Sequence, residues 1–416
     1  MRGVAEGRIV VGERVIVGTV VTKSHLAYAR ALAWSLAETQ SDSKLYCLLA
    51  DRIDDYFDPR TEPFEVITIE ALDRPELLHK LCFYYTRFEL CNALRGELHH
   101  YLWKQHEIER WLYLDADIMV VGDLRPVLAR LDDAQILLNP HRCLPYEPGR
   151  IEPYETTLLR VGVFNSGFLG LRRGAAAAEF LHWYRSRLQR YCFHDLVRFQ
   201  NRRRRRRSLA RGLFVDQLWL NLVPAYFEKV DLLCDPGANL AHWNLDCRRL
   251  VQTEDGRFTV DAQALRFVHF SGWDINEPYK VSAHSKLYVD WVNPAWCALA
   301  AKYRDYLVKA RLAETATWPY AFSHFNSGGA VTPDMRRAYW EQLVQGRWND
   351  IDPFDEPQLF ESTVTRLWRG IKCLGRHGRL RSVHGAAPRR VAAGHPSPPS
   401  LPTCCCEPSN KRRFAK

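Results

Sequence analysis

In Trp111-Leu112-Tyr113-Leu114-Asp115-Ala116-Asp117-Ile118-Met119-Val120, an apolar, strand-like run ends in two carboxylates spaced i, i+2. Burying an unpaired carboxylate is costly, and the usual relief is a metal ion or a cationic partner. On a strand, side chains at i and i+2 share a face. If the chain turns at Ala116 instead, both carboxylates lean towards one point just past the strand end. Either arrangement suits a divalent cation that takes oxygen ligands and keeps positions open for phosphate oxygens. The plainer alternative is an acidic turn without a ligand, and context decides between them.

Four further clusters supply that context. Phe164-Asn165-Ser166-Gly167 sets polar residues inside an apolar strand pattern, although Asn, Ser and Gly also build turns. Phe214-Val215-Asp216-Gln217-Leu218-Trp219-Leu220-Asn221 opens an apolar helix with an acid and an amide, where Asp216 alone would serve as an N-cap. Asn239-Leu240-Ala241-His242-Trp243-Asn244 and His269-Phe270-Ser271-Gly272-Trp273 follow. A strand-end histidine is usually satisfied by a hydrogen bond, yet it also completes metal sites begun by carboxylates.

The elements that must position these groups are readable from periodicity. Ile9–Val11 and Arg14–Val21 are rich in β-branched residues and predict strand; Leu26–Leu36 predicts a helix. Leu45–Asp51 and Phe64–Ile69 are short continuous apolar runs, the mark of strands covered on both faces. A long helical pattern from about Pro75 to Leu102 precedes the D-x-D strand. Gln135–Leu138, Gly162–Leu171 and Leu265–Phe270 predict later strands, and Ala175–Tyr191 a helix. Strands alternating with helices predict an α/β fold with a mostly parallel sheet flanked by helices. The expected organisation is a catalytic domain over 9–283 with a basic loop at 196–211. An aromatic-rich helical extension over 284–372 and a disordered Pro/Ser/Cys-containing tail over 373–416 complete it.

The net charge of +10 is concentrated in two places: Arg202–Arg207 carries +6 and residues 376–416 carry +8, which leaves −4 for the remainder. A dispersed basic footprint for nucleic acid is therefore absent. The basic segments suit either solvated disorder or a peripheral hold on an anionic membrane face. Of twelve cysteines, nine are scattered singly and Cys404-Cys405-Cys406 form a tail triplet, with no C-x-x-C pair. This is the pattern of a reduced protein with buried thiols. No apolar run approaches the ~18 residues needed to span a bilayer, and no signal-peptide segment opens the chain, so the expectation is a cytoplasmic protein.

In their order and types these motifs resemble the GT-A-fold glycosyltransferases, specifically the retaining, glycogenin-like and lipopolysaccharide-galactosyltransferase-like group. The resemblance runs from about Val11 to Trp273. Leu112–Asp117 resembles the family's Y-L-D-x-D motif and Phe164–Gly167 its F-N-S-G strand. Asp216–Asn221 resembles D-Q-x-x-L-N, and His269–Gly272 resembles H-x-x-G. The resemblance implies a nucleotide-sugar donor, a UDP-sugar, with a carbohydrate, lipid-linked or protein acceptor. It implies a divalent metal held by Asp115, Asp117 and His269; Mn²⁺ suits that mixed shell better than Mg²⁺. Catalytic roles fall to Gln217, Asp216, Asn165 and an arginine on the helix before the D-x-D strand. Arg87 matches by its surroundings and Arg95 by its distance to D-x-D, and the choice stays open. Nucleotide contacts fall to Thr19, Thr22, Asp51, Leu114, Ala116, Gly272 and Lys280. The chain also departs from the pattern. Leu218 stands where the family often has a second acid. The lysine that commonly follows H-x-x-G is missing, so that Lys280 or Lys286 would have to substitute.

Two other functions compete. A sugar nucleotidyltransferase would need an early Gly-rich, cationic triphosphate loop, which is not found after Val15–Gly18; no dinucleotide or P-loop signature occurs either. A non-catalytic polyanion- or membrane-binding protein is opposed by the acidic body. Because the basic tail lies outside every motif, a chain ending near Gly375 is expected to keep donor hydrolysis. The check is equal turnover at equal folded yield.

Overall fold

The structure, a computed structural model, describes residues 14–146, 154–195, 212–278, 280–285 and 293–360. The strand expected at 9–11, the arginine run within 196–211, Lys286 and the tail expected over 373–416 lie outside the described residues. All described residues belong to one unit, Met1–Thr365, and none to the second, Arg366–Lys416.

The chain begins with β1 (Val15–Val21), α1 (Leu26–Thr39), β2 (Ser43–Leu49) and β3 (Glu65–Ile67). Three helices follow, α2 (Pro75–Tyr84), α3 (Arg87–Ala93) and α4 (Arg95–Lys104). β4 (Arg110–Leu114) and β5 (Ile118–Val120) then bracket the D-x-D segment. Next come α5 (Arg125–Leu128), β6 (Ile136–Pro140), α6 (Thr156–Val161), β7 (Phe164–Arg172) and α7 (Ala175–Tyr191). Beyond them lie α8 (Gln217–Leu220), α9 (Val223–Tyr226), β8 (Val230–Leu232), β9 (Leu250–Gln252), β10 (Phe258–Val260), β11 (Gln263–Ala264) and β12 (Phe267–His269). The described part closes with α10 (Pro294–Lys309), α11 (Leu312–Thr315) and α12 (Pro333–Val344).

Seven strands form the main sheet in the order β3-β2-β1-β4-β7-β6-β8, and all run parallel except β7. The expected α/β architecture is thus present. Every residue of β1 is buried, and its side chains alternate between the two faces. Ile16 and Val20 pack with residues of α2, α3, α4 and α7, whereas Val15, Val17 and Val21 pack with α1. A separate cluster seats Trp296, Leu299 and Tyr303 of α10 against Phe270 and Trp273. Phe270 and Tyr303 stack at 4.2 Å between ring centroids.

Two features depart from the sequence expectations. The long helix expected from Pro75 to Leu102 is three helices. Tyr85 is extended, and Thr86 caps α3 by accepting from Glu89 N–H while the Glu89 carboxylate accepts from Thr86 N–H. A three-stranded sheet, β11-β10-β9, occupies 250–264, where no strand was expected. Its strands have two or three residues each, too few for a periodic signal.

The break before α3 sets the direction of the helices that carry Arg87 and Arg95. Thr86→Ala is expected to cost about 1 kcal/mol and Thr86→Ser far less. Denaturant midpoints at unchanged slope are the measurement.

Candidate active site

Asp115 and Asp117 leave the sheet in a turn, not on a strand. β4 ends at Leu114, Asp115 N–H donates to Gly167 O at 2.9 Å, and Ile118 N–H returns to Asp115 O at 3.0 Å. β5 then pairs antiparallel with β12, with Ile118 opposite His269, and Phe270 N–H donates to Asp117 O at 2.9 Å. That register carries the His269 ring to the two carboxylates. Its Nε2 lies 3.0 Å from Asp117 Oδ1 and 3.9 Å from Asp115 Oδ2. Among the described residues these three form the one group able to hold a metal, their ligand atoms all within 4.8 Å of one another.

Several observations fit a divalent ion there. Two carboxylate oxygens and an imidazole nitrogen make a borderline-hard donor set. Gly167 keeps the adjacent space clear: a Cβ on it would lie 2.5 Å from His269 Cε1 and 2.7 Å from Asp115 Oδ2. Burial disfavours a charged His269, but Asp117 and then Asp115 outweigh it and raise the imidazole above its ordinary value. Asp117 is held below the usual carboxylate range, because His269 more than offsets its burial. The two carboxylates thus favour positive charge at the His269 ring, where a metal cation would also be favoured.

On the other side of Asp115 stands Arg95, at the start of α4. Its guanidinium donates to Asp115 Oδ1 at 2.6 Å and to Asp216 Oδ2, Ser166 Oγ and Ser166 O, each at 2.9 Å. It also lies over the Tyr113 ring at 4.8 Å. Burial works against its charge, yet Asp115 and Asp216 hold it protonated beyond its ordinary range. Asp216 is fully buried, and burial raises its carboxyl in spite of Arg95. It sits at the N-cap position of α8 but makes no cap bond; it accepts instead from Arg95, from Tyr184 Oη at 2.9 Å and from Ser166 Oγ at 3.2 Å. The preceding Val215 has φ of +40°, a strained value for a β-branched residue. A 2.9 Å bond from Val215 N–H to Phe193 O helps hold it.

Gln217 is fixed through both amide atoms. Its Oε1 accepts from Ser166 N–H at 3.2 Å and Asn165 Nδ2 at 3.5 Å, and its Nε2 donates to Val161 O at 2.8 Å. Asn165 Oδ1 in turn accepts from Asn239 Nδ2 at 3.1 Å, which also donates to Asn139 Oδ1 at 2.7 Å. The Trp243 ring meets both His141 and His269 edge-on, at 5.1 and 5.2 Å. Burial lowers His141 to about 4. The Asn239–Asn244 motif therefore backs Asn165 and His269.

The remaining sequence candidates divide. Leu114 and Ala116 flank Asp115. Thr19 is buried on β1, Thr22 Oγ1 contacts Ser24 and His25, and buried Asp51 lies 3.7 Å from Lys23 Nζ. Arg87 is exposed, with its guanidinium 3.5 Å from Ser24 Oγ. Gly272, with φ of +67°, packs against His284. Lys280 is exposed and pairs with Glu277 at 2.5 Å. Sequence reasoning missed the roles of Tyr113, whose Oη donates to Asp115 Oδ1 at 2.8 Å, and Tyr184. Tyr113 is the tyrosine of the Y-L-D-x-D match, whereas Tyr184 carries no signal beyond an aromatic on a helix.

No family model matches the chain. Two Bacillus subtilis (strain 168) proteins, both described as uncharacterized, are similar to it. YfnF is 28% identical over 265 residues, covering 62% of this chain and 81% of YfnF. YfnD is 28% identical over 261 residues, covering 62% and 77%. Similar solved structures include the glycosyltransferase GlyE of Streptococcus pneumoniae TIGR4, at 13% identity, TM-score 0.40, covering 76% of this chain and 67% of that one. Galactosyltransferase LgtC in complex with donor and acceptor sugar analogs scores 0.40 at 14% identity, covering 71% and 96%. The functional reading therefore rests on the residues of the site.

Arg95→Met leaves the fully buried Asp216 without its cation, and part-buried Asp115 without one of its partners, and is expected to destabilise the fold by roughly 3–5 kcal/mol. Asp117→Asn keeps shape and removes charge at a half-exposed position, so folding should survive. A thermal shift on adding Mn²⁺ is expected in the parent chain and not in this variant; an equal shift in both would remove Asp117 from the candidate metal site.

Proposed function

We propose that this chain is a metal-dependent glycosyltransferase of the GT-A type. It moves a hexosyl group from a nucleoside diphosphate sugar, a UDP-sugar, to an acceptor hydroxyl with retention, in surface glycan or polysaccharide synthesis. The observation that best supports this is one continuous cluster. In it Asp115 meets Asp117 and His269 on one side and Arg95, Asp216 and Ser166 on the other. Asp115, Asp117 and His269 would hold Mn²⁺ or Mg²⁺, whose Lewis acidity relieves charge on a departing diphosphate.

The chain's own groups then take the following parts. Arg95 spends its donors on Asp115, Ser166 and Asp216, so it orients the carboxylates. Arg87, exposed and without a carboxylate partner among the described residues, is the arginine left to meet an anionic donor. Thr22 and Asp51, just past the ends of β1 and β2, would face the nucleotide, with Thr19 within β1 behind them. The Gln217 amide is oriented by its bond to Val161 O, since a flip would set carbonyl against carbonyl. Its Oε1, beside Asn165, is thereby available as a fixed dipole for the positive charge that develops on the sugar. Asp216, held by three donors, positions Arg95 and the start of α8.

Hydrolysis of a panel of nucleotide sugars, with Mn²⁺ present and after chelation, tests the class of reaction. Gln217→Ala is expected to lower turnover by about 10²–10³ while barely changing UDP affinity. The anomeric configuration of the product, read by NMR, should be that of the donor. Full activity in the variant, or an inverted product, would reject the mechanism.

A further inference from the structure

Away from the cluster above, a cavity of about 660 Å³ lies beyond the carboxyl ends of β2 and β3. That volume falls within the roughly 300–1,000 Å³ of small-molecule sites. Arg52 follows β2, and Ile69 and Glu70 follow β3. Glu76 and Lys80 of α2 form one wall, and Phe322 with residues 349–352 forms the other. Lys80 Nζ donates to Asn349 O at 2.5 Å and His79 pairs with Asp352 at 3.0 Å, so the two walls are tied together. By the strand order β3-β2-β1-β4, the cavity lies two to three strand spacings from Asp115, roughly 10–14 Å along the sheet edge.

Its floor and rim differ in chemistry. The floor is apolar and buried: Ile69, Cys82 and Phe322 are each at most 5% exposed. The rim is exposed and charged, with the Arg52 guanidinium over the Phe322 ring at 5.2 Å. Among the described residues, neither that guanidinium nor the Glu70 and Glu76 carboxylates has an ion-pair or hydrogen-bond partner. Free donors and free acceptors thus stand together around an apolar base. Glu70, Glu76, Asp350 and Asp352 outnumber Arg52 and Lys80, so the lining offers an anion no net attraction.

We propose that this cavity binds a neutral segment of a glycan and holds it apart from the reacting sugar. A sugar hydroxyl both donates and accepts, so it can give its proton to Glu70 or Glu76 and accept from Arg52. The C–H face of a pyranose ring suits the apolar floor, whereas phosphates, nucleotides and uronic acids are repelled by the excess of carboxylates. The choice of a sugar as ligand rests on the glycosyl transfer proposed above; the cavity and its unpartnered groups do not. At its distance from Asp115 the bound segment is not the one that reacts. It tethers the chain that carries the acceptor and raises the effective concentration of that acceptor at the site.

The test is saturation-transfer NMR and titration of the full chain, without nucleotide or metal. The probes are maltotriose, cellotriose and mannotriose, with trigalacturonate and spermidine as anionic and cationic controls. At least one neutral triose should bind. Arg52→Ala and Glu70→Gln should each weaken it by about tenfold, the loss of a hydrogen bond to a charged group, with the thermal midpoint unchanged. Asp117→Asn should bind it as the parent chain does. No triose binding, equal affinity in both cavity variants, loss of binding in Asp117→Asn, or tighter binding of trigalacturonate or spermidine would overturn the proposal. Triose binding without hydrolysis of any nucleotide sugar would reject the transferase reading alone, and hydrolysis without triose binding would reject the cavity's role alone.

Discussion

Asp115, Asp117 and Asp216 converge at one end of the sheet, and the cations that touch them are Arg95 and His269. A buried carboxylate persists only if its charge is met, so the rest of the site follows from how two cations are shared among three anions. Arg95 takes two of them with a planar fork that a lysine lacks, and ties in Ser166 as well. His269 takes the third. Of the two groups, only the imidazole has a neutral form that offers a nitrogen to a metal. A divalent ion in the proposed site would thus compete with a proton for His269 Nε2.

The topology explains how residues so far apart in sequence come together. Ligands of open α/β sheets sit beyond the carboxyl ends of the parallel strands. The carboxyl ends of β1, β2 and β4 bring Thr22, Asp51 and Asp115 to that edge. β7 runs the other way, so it delivers its amino end, Asn165-Ser166-Gly167, to the same edge. A parallel β7 would carry those residues to the opposite side of the sheet. The short β5–β12 pair does the same for His269. At the crowded meeting point Gly167 is the residue that fits, since any side chain would intrude on both His269 and Asp115.

Much of this was legible in the sequence, and the reasons differ by element. The D-x-D segment could be read because two acids closing an apolar run are costly to bury unless a cation meets them. The helix over 175–191 could be read because its period is uninterrupted over seventeen residues. The break at Tyr85 was hidden, since apolar spacing continues across it and the T-x-x-E capping box at Thr86 is a four-residue signal. Choosing between Arg87 and Arg95 was beyond sequence, because the eight-residue spacing places both near the site. In the structure their guanidinium partners differ, Arg95 meeting Asp115, Asp216 and Ser166 and Arg87 lying near Ser24. The replacement of the missing lysine was equally hidden: Lys280 turns outward to Glu277. The biochemical class came from resemblance among motifs, which composition and periodicity do not supply.

The arrangement around Asp216 also bears on how a retaining transfer would proceed. A double displacement needs a carboxylate with a free lone pair directed at the sugar. Asp216 is fully buried, and Arg95, Tyr184 and Ser166 occupy its oxygens. To attack, it would have to give up those donors and leave Arg95 short of a counter-charge, at a cost of several kcal/mol in a buried setting. Gln217 faces no such penalty, because its amide can stabilise charge without leaving its hydrogen bonds. With Leu218 in place of a second acid, no other carboxylate adjoins Gln217 in sequence. For the proposed retaining transfer, this arrangement would favour front-face attack by the acceptor hydroxyl over a covalent intermediate on Asp216.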